Sequence, residues 1–173
     1  MSDIAPLLVT RVVHIVASAI WVGGAILVAA FVLPATRAAG PAGAAVLREL
    51  TAVRRLPEVL LGLAVLTLAS GAYLLWVASA GLQPAWFHSG PGWGYTLGAA
   101  VALLAFLIGL LINIPTARRL GKLMSEVKAS GAAPTAAQAE MLQRRVRRLL
   151  RGTRTVAMLV VVSSAFMALA RYL

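Results

Sequence analysis

The chain has 173 residues, of which 61% are hydrophobic and 12% charged, and it carries a formal net charge of +11 without a single cysteine. Soluble domains have about 25% charged and about 45–50% apolar residues, so this composition excludes an ordinary water-soluble globular protein and indicates a bilayer as the solvent. The lack of cysteine excludes disulfides, thiolate metal sites, iron–sulfur clusters and covalently attached c-type heme.

Four apolar stretches are long enough to cross a membrane, since about 20 apolar residues span the roughly 30 Å hydrocarbon core as a helix. They are residues 10–33, 57–79, 93–114 and 154–172. The first continues into Leu33-Pro34 and a basic loop without a signal-peptide cleavage pattern, so we expect it to be retained. Pro57 and Glu58 suit the first turn of the second helix, and Pro115 is expected to stop the third. The sequence therefore predicts an all-α, four-helix membrane bundle that forms one domain over residues 1–173.

The positions of the charges predict the orientation of this bundle. Thirteen of the 16 Lys and Arg residues lie between the first two or between the last two stretches, Arg154 begins the fourth stretch, and the middle connection, 80–92, has none. The positive-inside rule then places two basic loops in the cytoplasm and both termini outside. An interfacial belt of aromatic residues is expected around the middle connection: Trp76, Trp86, Phe87, Trp93 and Tyr95.

Both basic loops are predicted to contain amphipathic helical segments. Residues 45–56 place Val46, Leu50 and Val53 on one face. In the second loop, Thr135 and Gln138 match a capping box. An apolar stripe follows it: Met141, Leu142, Val146, Leu149 and Leu150. We expect this helix to lie on anionic lipid headgroups and to continue into the fourth span, rather than to bind nucleic acid or an acidic partner.

Small residues recur along the third helix at a spacing typical of close helix packing. They are Gly98, Ala102, Ala105 and Gly109, followed by Asn113. Such a stripe lets another helix approach closely in lipid. It predicts packing within the bundle and is also compatible with a homo-oligomer or with a membrane-protein partner.

Ionisable residues inside a bilayer are costly, which makes His14 the first candidate for a functional site. Arg11, His14, Ser18 and Trp21 share one face of the first helix. If that face turns inward, an imidazole lies in the bundle with a guanidinium one turn nearer the outer surface. His14 is otherwise an ordinary hydrogen-bonded or interfacial residue, or it serves another metal or a proton.

The fourth helix offers a possible counterpart, because Ser163, Met167 and Arg171 share a face. Counted from the two arginines, His14 and Met167 reach similar depths. Imidazole and thioether both bind heme iron and copper, and Arg11 and Arg171 are placed to hold heme propionates. Met167 alternatively only packs, and the arginines only reach toward the interface.

His88, in the outer loop, is the second histidine of the chain. It is either a further metal or heme ligand, if the loop folds over the bundle, or an exposed loop residue. The sequence gives no catalytic residue.

The segment HIVASAIWVGGAILVAAFVLP (14–34) resembles a group of four-helix bacterial membrane proteins that includes copper-resistance D-like domains and HemJ-type protoporphyrinogen oxidases. The shared features are His14, Trp21 and the pair Gly23-Gly24. Pro57, the Gly92-Trp93 pair before the third helix and the basic turn INIPTARRL extend the likeness in outline. At the place where HemJ-type enzymes carry a lysine after this Gly-Trp pair, the chain has Leu97.

The resemblance implies heme b held partly by His14, in a multi-pass protein of the bacterial inner membrane. We therefore expect electron transfer or a heme-dependent membrane oxidoreductase, with Met167 or His88 as a possible second ligand. Two other functions remain open. One is a copper or other metal permease, and the other is a structural subunit of a larger membrane complex.

Overall fold

The structure is a computed structural model, and it describes residues 4–173. Within this range every regular element is helical. Four of the helices are long and apolar enough to cross a membrane, and they contain the four stretches that the sequence predicts, apart from Ser79 at the end of the second. The prediction of an all-helical membrane protein is confirmed at this level.

The four long helices are labelled α1 to α4 in chain order. Helix α1 consists of Ile4–Leu27, a π-helical turn at Val28–Val32, and Leu33–Ala38. Helix α2 is Leu56–Ala78. Helix α3 consists of Gly90–Ile108, a π-helical turn at Gly109–Asn113, and Ile114–Ala129. Helix α4 consists of Ala136–Leu169 and the short 3₁₀ turn Ala170–Tyr172.

The connections define two different ends of the bundle. The basic end carries the α1–α2 connection, which holds the helix Gly40–Arg48 and the π-helical turn Glu49–Val53. It also carries the α3–α4 connection, in which Gly131 has a positive φ. The loop end carries the α2–α3 connection with the short helix Pro84–Phe87. The first described residues of α1 and the last of α4 lie at the loop end.

Two prolines lie inside long helices without ending them. Pro34 and Pro115 each come second after a five-residue π-helical turn. In these turns the N–H of Leu33 bonds to the Val28 carbonyl, and that of Ile114 to the Gly109 carbonyl. The wider turn accommodates a proline, which has no N–H and whose ring clashes with the carbonyl four residues earlier. The prediction that Pro115 stops the third helix is therefore wrong.

The helices pack as two antiparallel pairs, α1 with α2 and α3 with α4, and α1 also packs against α4. The centre of the bundle is one cluster of mostly small buried residues around the indole of Trp21. Its members are Trp21, Ala25, Ala29, Ala64, Ala105, Val156, Ala157 and Val160. Small residues let helices approach closely where lipid offers no hydrophobic drive for association.

The small-residue face of α3 packs inside the bundle, as predicted. Gly98, Ala102 and Ala105 are buried, and a Cβ added at Gly98 would lie 3.1–3.3 Å from Met167 side-chain atoms of α4. Asn113 contacts α4 at Gly152. Its Oδ1 is buried without a hydrogen-bond partner in the described chain.

The basic α3–α4 connection is a helical hairpin that extends the two spans. At about 1.5 Å per residue, the 34 residues of Ala136–Leu169 measure about 51 Å, well beyond a ~30 Å hydrocarbon core. The predicted capping box at Thr135 and Gln138 begins this helix, and the predicted run into the fourth span is confirmed. Its neighbour is the last part of α3, where Leu120 and Leu123 are buried. Four members of the apolar stripe, Leu142, Val146, Leu149 and Leu150, are half-buried, whereas Met141 is exposed.

A substitution at Gly94 tests how closely α3 and α4 approach each other. A Cβ at Gly94 would lie 2.6 Å from Ala170 Cβ and 2.7 Å from Ala170 Cα, whereas one at Gly62 would meet nothing within 4 Å. We expect Gly94→Ala to destabilise the detergent-purified protein by about 1–3 kcal/mol, because overpacking forces the helices apart. The matched control Gly62→Ala should leave the thermal unfolding midpoint unchanged or raise it. Equal midpoints for the two variants would contradict the α3–α4 packing described here.

Candidate ligand site around His14

His14 lies on the face of α1 that packs into the bundle. It is seven residues before Trp21, which at about 100° per residue points both side chains in directions only ~20° apart. Trp21 and Ala25 on this face are 6% exposed. His14 is half-buried, about 10 Å nearer the loop end than Trp21. The prediction that this imidazole turns toward protein agrees with its position.

The imidazole of His14 lies against α2. Its Nδ1 is 2.9 Å from the backbone carbonyl oxygen of Thr67 and 3.2 Å from Oγ of Ser70. A Cβ at Gly71 would lie 2.8 Å from the ring Cε1. Only glycine at position 71 therefore allows the ring to lie this close to the α2 backbone.

These partners fix the tautomer of His14. A backbone carbonyl only accepts hydrogen bonds, so Nδ1 must carry the proton that it donates to Thr67. The Ser70 hydroxyl donates its own hydrogen to the Leu66 carbonyl at 2.6 Å, which leaves Oγ free to accept as well. In the neutral ring Nε2 is then unprotonated, and its lone pair makes no hydrogen bond within residues 4–173.

This arrangement is the one that metal-binding histidines use. Their second ring nitrogen almost always donates to a carboxylate, a carbonyl or water, which orients the ring and raises its basicity as a ligand. Two buried hydroxyls in this half of the bundle, Thr67 Oγ1 and Thr96 Oγ1, have no hydrogen-bond partner among the described residues. Buried hydroxyls are usually paired, so these two are available to polar groups of a ligand.

Met167 belongs to the second pair of helices, since it lies on α4 and packs against α3. Its side chain lies against Gly98 of α3, and the neighbouring Ser163 Oγ donates to the Gly98 carbonyl at 2.7 Å. Gly71 is seven residues from the loop end of α2 and Gly98 is eight residues from the loop end of α3. His14 and Met167 thus contact different helices at closely similar depths.

The remaining candidate residues lie around this layer. Trp21 is part of the buried core cluster on the side of His14 toward the basic end. Arg11 is exposed one turn nearer the loop end, and Arg171 is exposed with its guanidinium 4.8 Å from the Tyr172 ring centroid. His88 is exposed after the short helix Pro84–Phe87.

The α2 side of this site is not predicted from the sequence. Thr67, Ser70 and Gly71 have no role in the prediction from sequence, although they are the residues that contact the imidazole. A signal was present, because Thr67 and Ser70 are three residues apart and therefore share a face in an otherwise apolar helix. Polar residues on one face of a spanning helix commonly bond to a neighbouring helix.

The tautomer of His14 is a direct test of this geometry. The chain has two histidines, so a protein labelled with ¹⁵N-histidine and a His88→Gln variant together give an assigned imidazole spectrum. We expect the ¹⁵N shifts of His14 to show a protonated Nδ1 and an unprotonated Nε2. In Gly71→Ala the ring must move, and the Nδ1–H tautomer should no longer dominate. A wild-type His14 protonated at Nε2 would show that the α2 contact is wrong.

Within residues 4–173, no three His, Asp or Glu side chains come together as a metal site would require. A group held by one or two axial ligands does not need such a cluster. Comparisons of the chain with protein-family models, with curated proteins and with solved structures found no match. The geometry around His14 therefore carries the functional argument.

Proposed function

We propose that this is a membrane protein that binds heme b through Nε2 of His14 and acts in electron transfer or as a heme-dependent oxidoreductase. The observation that supports this most is the paired Nδ1 of His14, which leaves an oriented and unprotonated Nε2 in the bundle. Neutral imidazole is a common axial ligand of heme iron. The bound heme would supply a one-electron iron couple.

Each neighbouring residue has a specific role in this proposal. Thr67 and Ser70 hold the proton of Nδ1 and set the ring plane, and Gly71 provides the space for the ring. Met167 would be the second residue to hold the heme iron, since its side chain packs at a similar depth on the opposite pair of helices. Trp21 closes the layer toward the basic end. Arg11 and Arg171, at the loop end, suit the propionates.

The proposed membership of the HemJ-type and copper-resistance D-like group agrees with this assignment, because His14 and Trp21 carry both the likeness and the site. The proposed orientation in a bacterial inner membrane places the basic end in the cytoplasm. The layer of His14 would then lie in the outer half of the bilayer, where periplasmic electron partners have the shorter path.

The copper permease alternative is less well supported by the side chains. Copper pathways need several soft ligands in succession. The spans offer only His14, Met158 and Met167, and Met158 is 68% exposed on the outside of α4. The two that remain contact different helix pairs. No specific observation favours this reading over heme binding.

Heme titration of the detergent-purified protein tests the proposal. We expect heme b to give a Soret band that His14→Gly abolishes or shifts, with recovery when imidazole is added to fill the vacated position. His88→Gly is the matched control and should retain the wild-type spectrum. A protein that binds no heme, or a spectrum unchanged by His14→Gly, would sink the proposal.

The role of Met167 has its own test. Met167→Leu keeps the bulk of the side chain but removes the sulfur, and Met158→Leu makes the same change on the exposed side of α4. If the thioether binds iron, Met167→Leu lowers the reduction potential of the heme and alters its reduced spectrum, because thioether ligation raises that potential. Identical spectra and potentials in both variants would assign Met167 to packing alone.

A further inference from the structure

A cleft of about 520 Å³ opens at the basic end between α3 and α4, far from His14. Ile108 and Ile112 of α3 form one wall, and Gly152 and Thr155 lie opposite on α4. Four arginines of α4 complete the lining: Arg144, Arg147, Arg148 and Arg151. The cleft thus combines an apolar wall with a strongly cationic rim.

Three of these arginines are available to an anion. Arg144 pairs with Glu140, whereas Arg147, Arg148 and Arg151 make no ion pair within the described part of the chain. The neighbouring arginines of the cleft are separated by three or four residues along α4, apart from the adjacent pair Arg147 and Arg148. Arg144, Arg148 and Arg151 therefore share one helix face, and Arg147 lies beside them. Guanidinium groups bind phosphate oxygens with paired, charge-assisted hydrogen bonds.

The apolar wall continues onto the lipid-facing surface of α3. Ile108 and Ile112 are half-buried, and the neighbouring Leu107 and Leu111 are 39% and 65% exposed. Ile112 also lies in the last turn of the apolar stretch, directly before Asn113 and the basic continuation of α3. The cleft therefore lies where hydrocarbon gives way to headgroups, and it suits a ligand with a phosphate joined to an acyl chain.

We propose that this cleft binds one anionic phospholipid, with its phosphate among Arg147, Arg148 and Arg151 and an acyl chain along Ile108 and Ile112. Basic pockets between spanning helices on the cytoplasmic side bind such headgroups in other membrane proteins. A free phosphate or a nucleic acid would use the arginines but would leave the isoleucine wall without a partner. The site is independent of heme binding, since it lies at the opposite end of the bundle.

Lipid retention in native mass spectrometry tests this site, with the full chain taken from mixed micelles of phosphatidylglycerol and phosphatidylcholine. We expect one phosphatidylglycerol to stay bound, and R147Q/R148Q/R151Q to weaken its apparent affinity at least about tenfold. The control R37Q/R48Q/R55Q removes the same charge from exposed arginines of the other basic segment. It should retain the lipid within about threefold of the wild type.

Further arms separate the possible sources of the anion. Equal losses in the two triple variants would overturn the proposal in favour of diffuse surface attraction. Displacement of the lipid by inorganic phosphate, or by a short RNA, would overturn it in favour of a soluble ligand. An Ile108→Gln and Ile112→Gln pair keeps all arginines, and unchanged retention there would exclude the acyl-chain contact. Helical circular dichroism spectra of all variants establish that each is folded.

Discussion

The contact between the His14 ring and Gly71 is the constraint on which the candidate site depends. In lipid, helices gain little by hiding apolar surface from one another, so close backbone approach and interhelical hydrogen bonds must hold them together. Glycine at 71 lets the imidazole reach the Thr67 carbonyl, and that bond fixes which nitrogen carries the proton. The absence of a Cβ at Gly71 therefore determines both how closely α1 and α2 pack and which nitrogen of the His14 ring is protonated.

The π-helical turns connect the membrane part of the bundle with its basic end. Because α1 and α3 pass Pro34 and Pro115 without breaking, each continues as a helix beyond its apolar stretch. The continuation of α3 then packs against the first part of α4, and Arg145 Nη1 donates to the Arg119 carbonyl at 2.7 Å between them. The arginine-lined cleft is a consequence of this continuity, since it needs the two helices side by side where the apolar sequence ends.

The fold was largely predictable because hydropathy over 20 residues reports directly on membrane-spanning helices. Only the α1 side of the candidate site was predictable from the sequence. His14 stands out as a rare ionisable group on an apolar face, and its interior direction follows from its register with Trp21. Its partners do not stand out, because which helix packs beside α1 depends on contacts between distant residues. Pro115 was wrongly predicted to end the third helix for a related reason. The π-helical turn before it accommodates the proline within the helix, and no local residue pattern predicts that turn.

On the proposal that heme binds here, the residues around His14 fit a fixed ligand to iron better than a step in a proton relay. Four of the five Asp and Glu residues lie outside the apolar stretches, and the fifth, Glu58, is in the exposed first turn of α2. A proton path across the bundle would need a series of titratable groups, and the hydrogen-bond partners of His14 among residues 4–173 are a carbonyl and a hydroxyl. The hydrogen bond from Nδ1 to the Thr67 carbonyl also holds the ring in one orientation. A fixed imidazole with one free lone pair is better suited to hold a redox group in place than to shuttle protons itself.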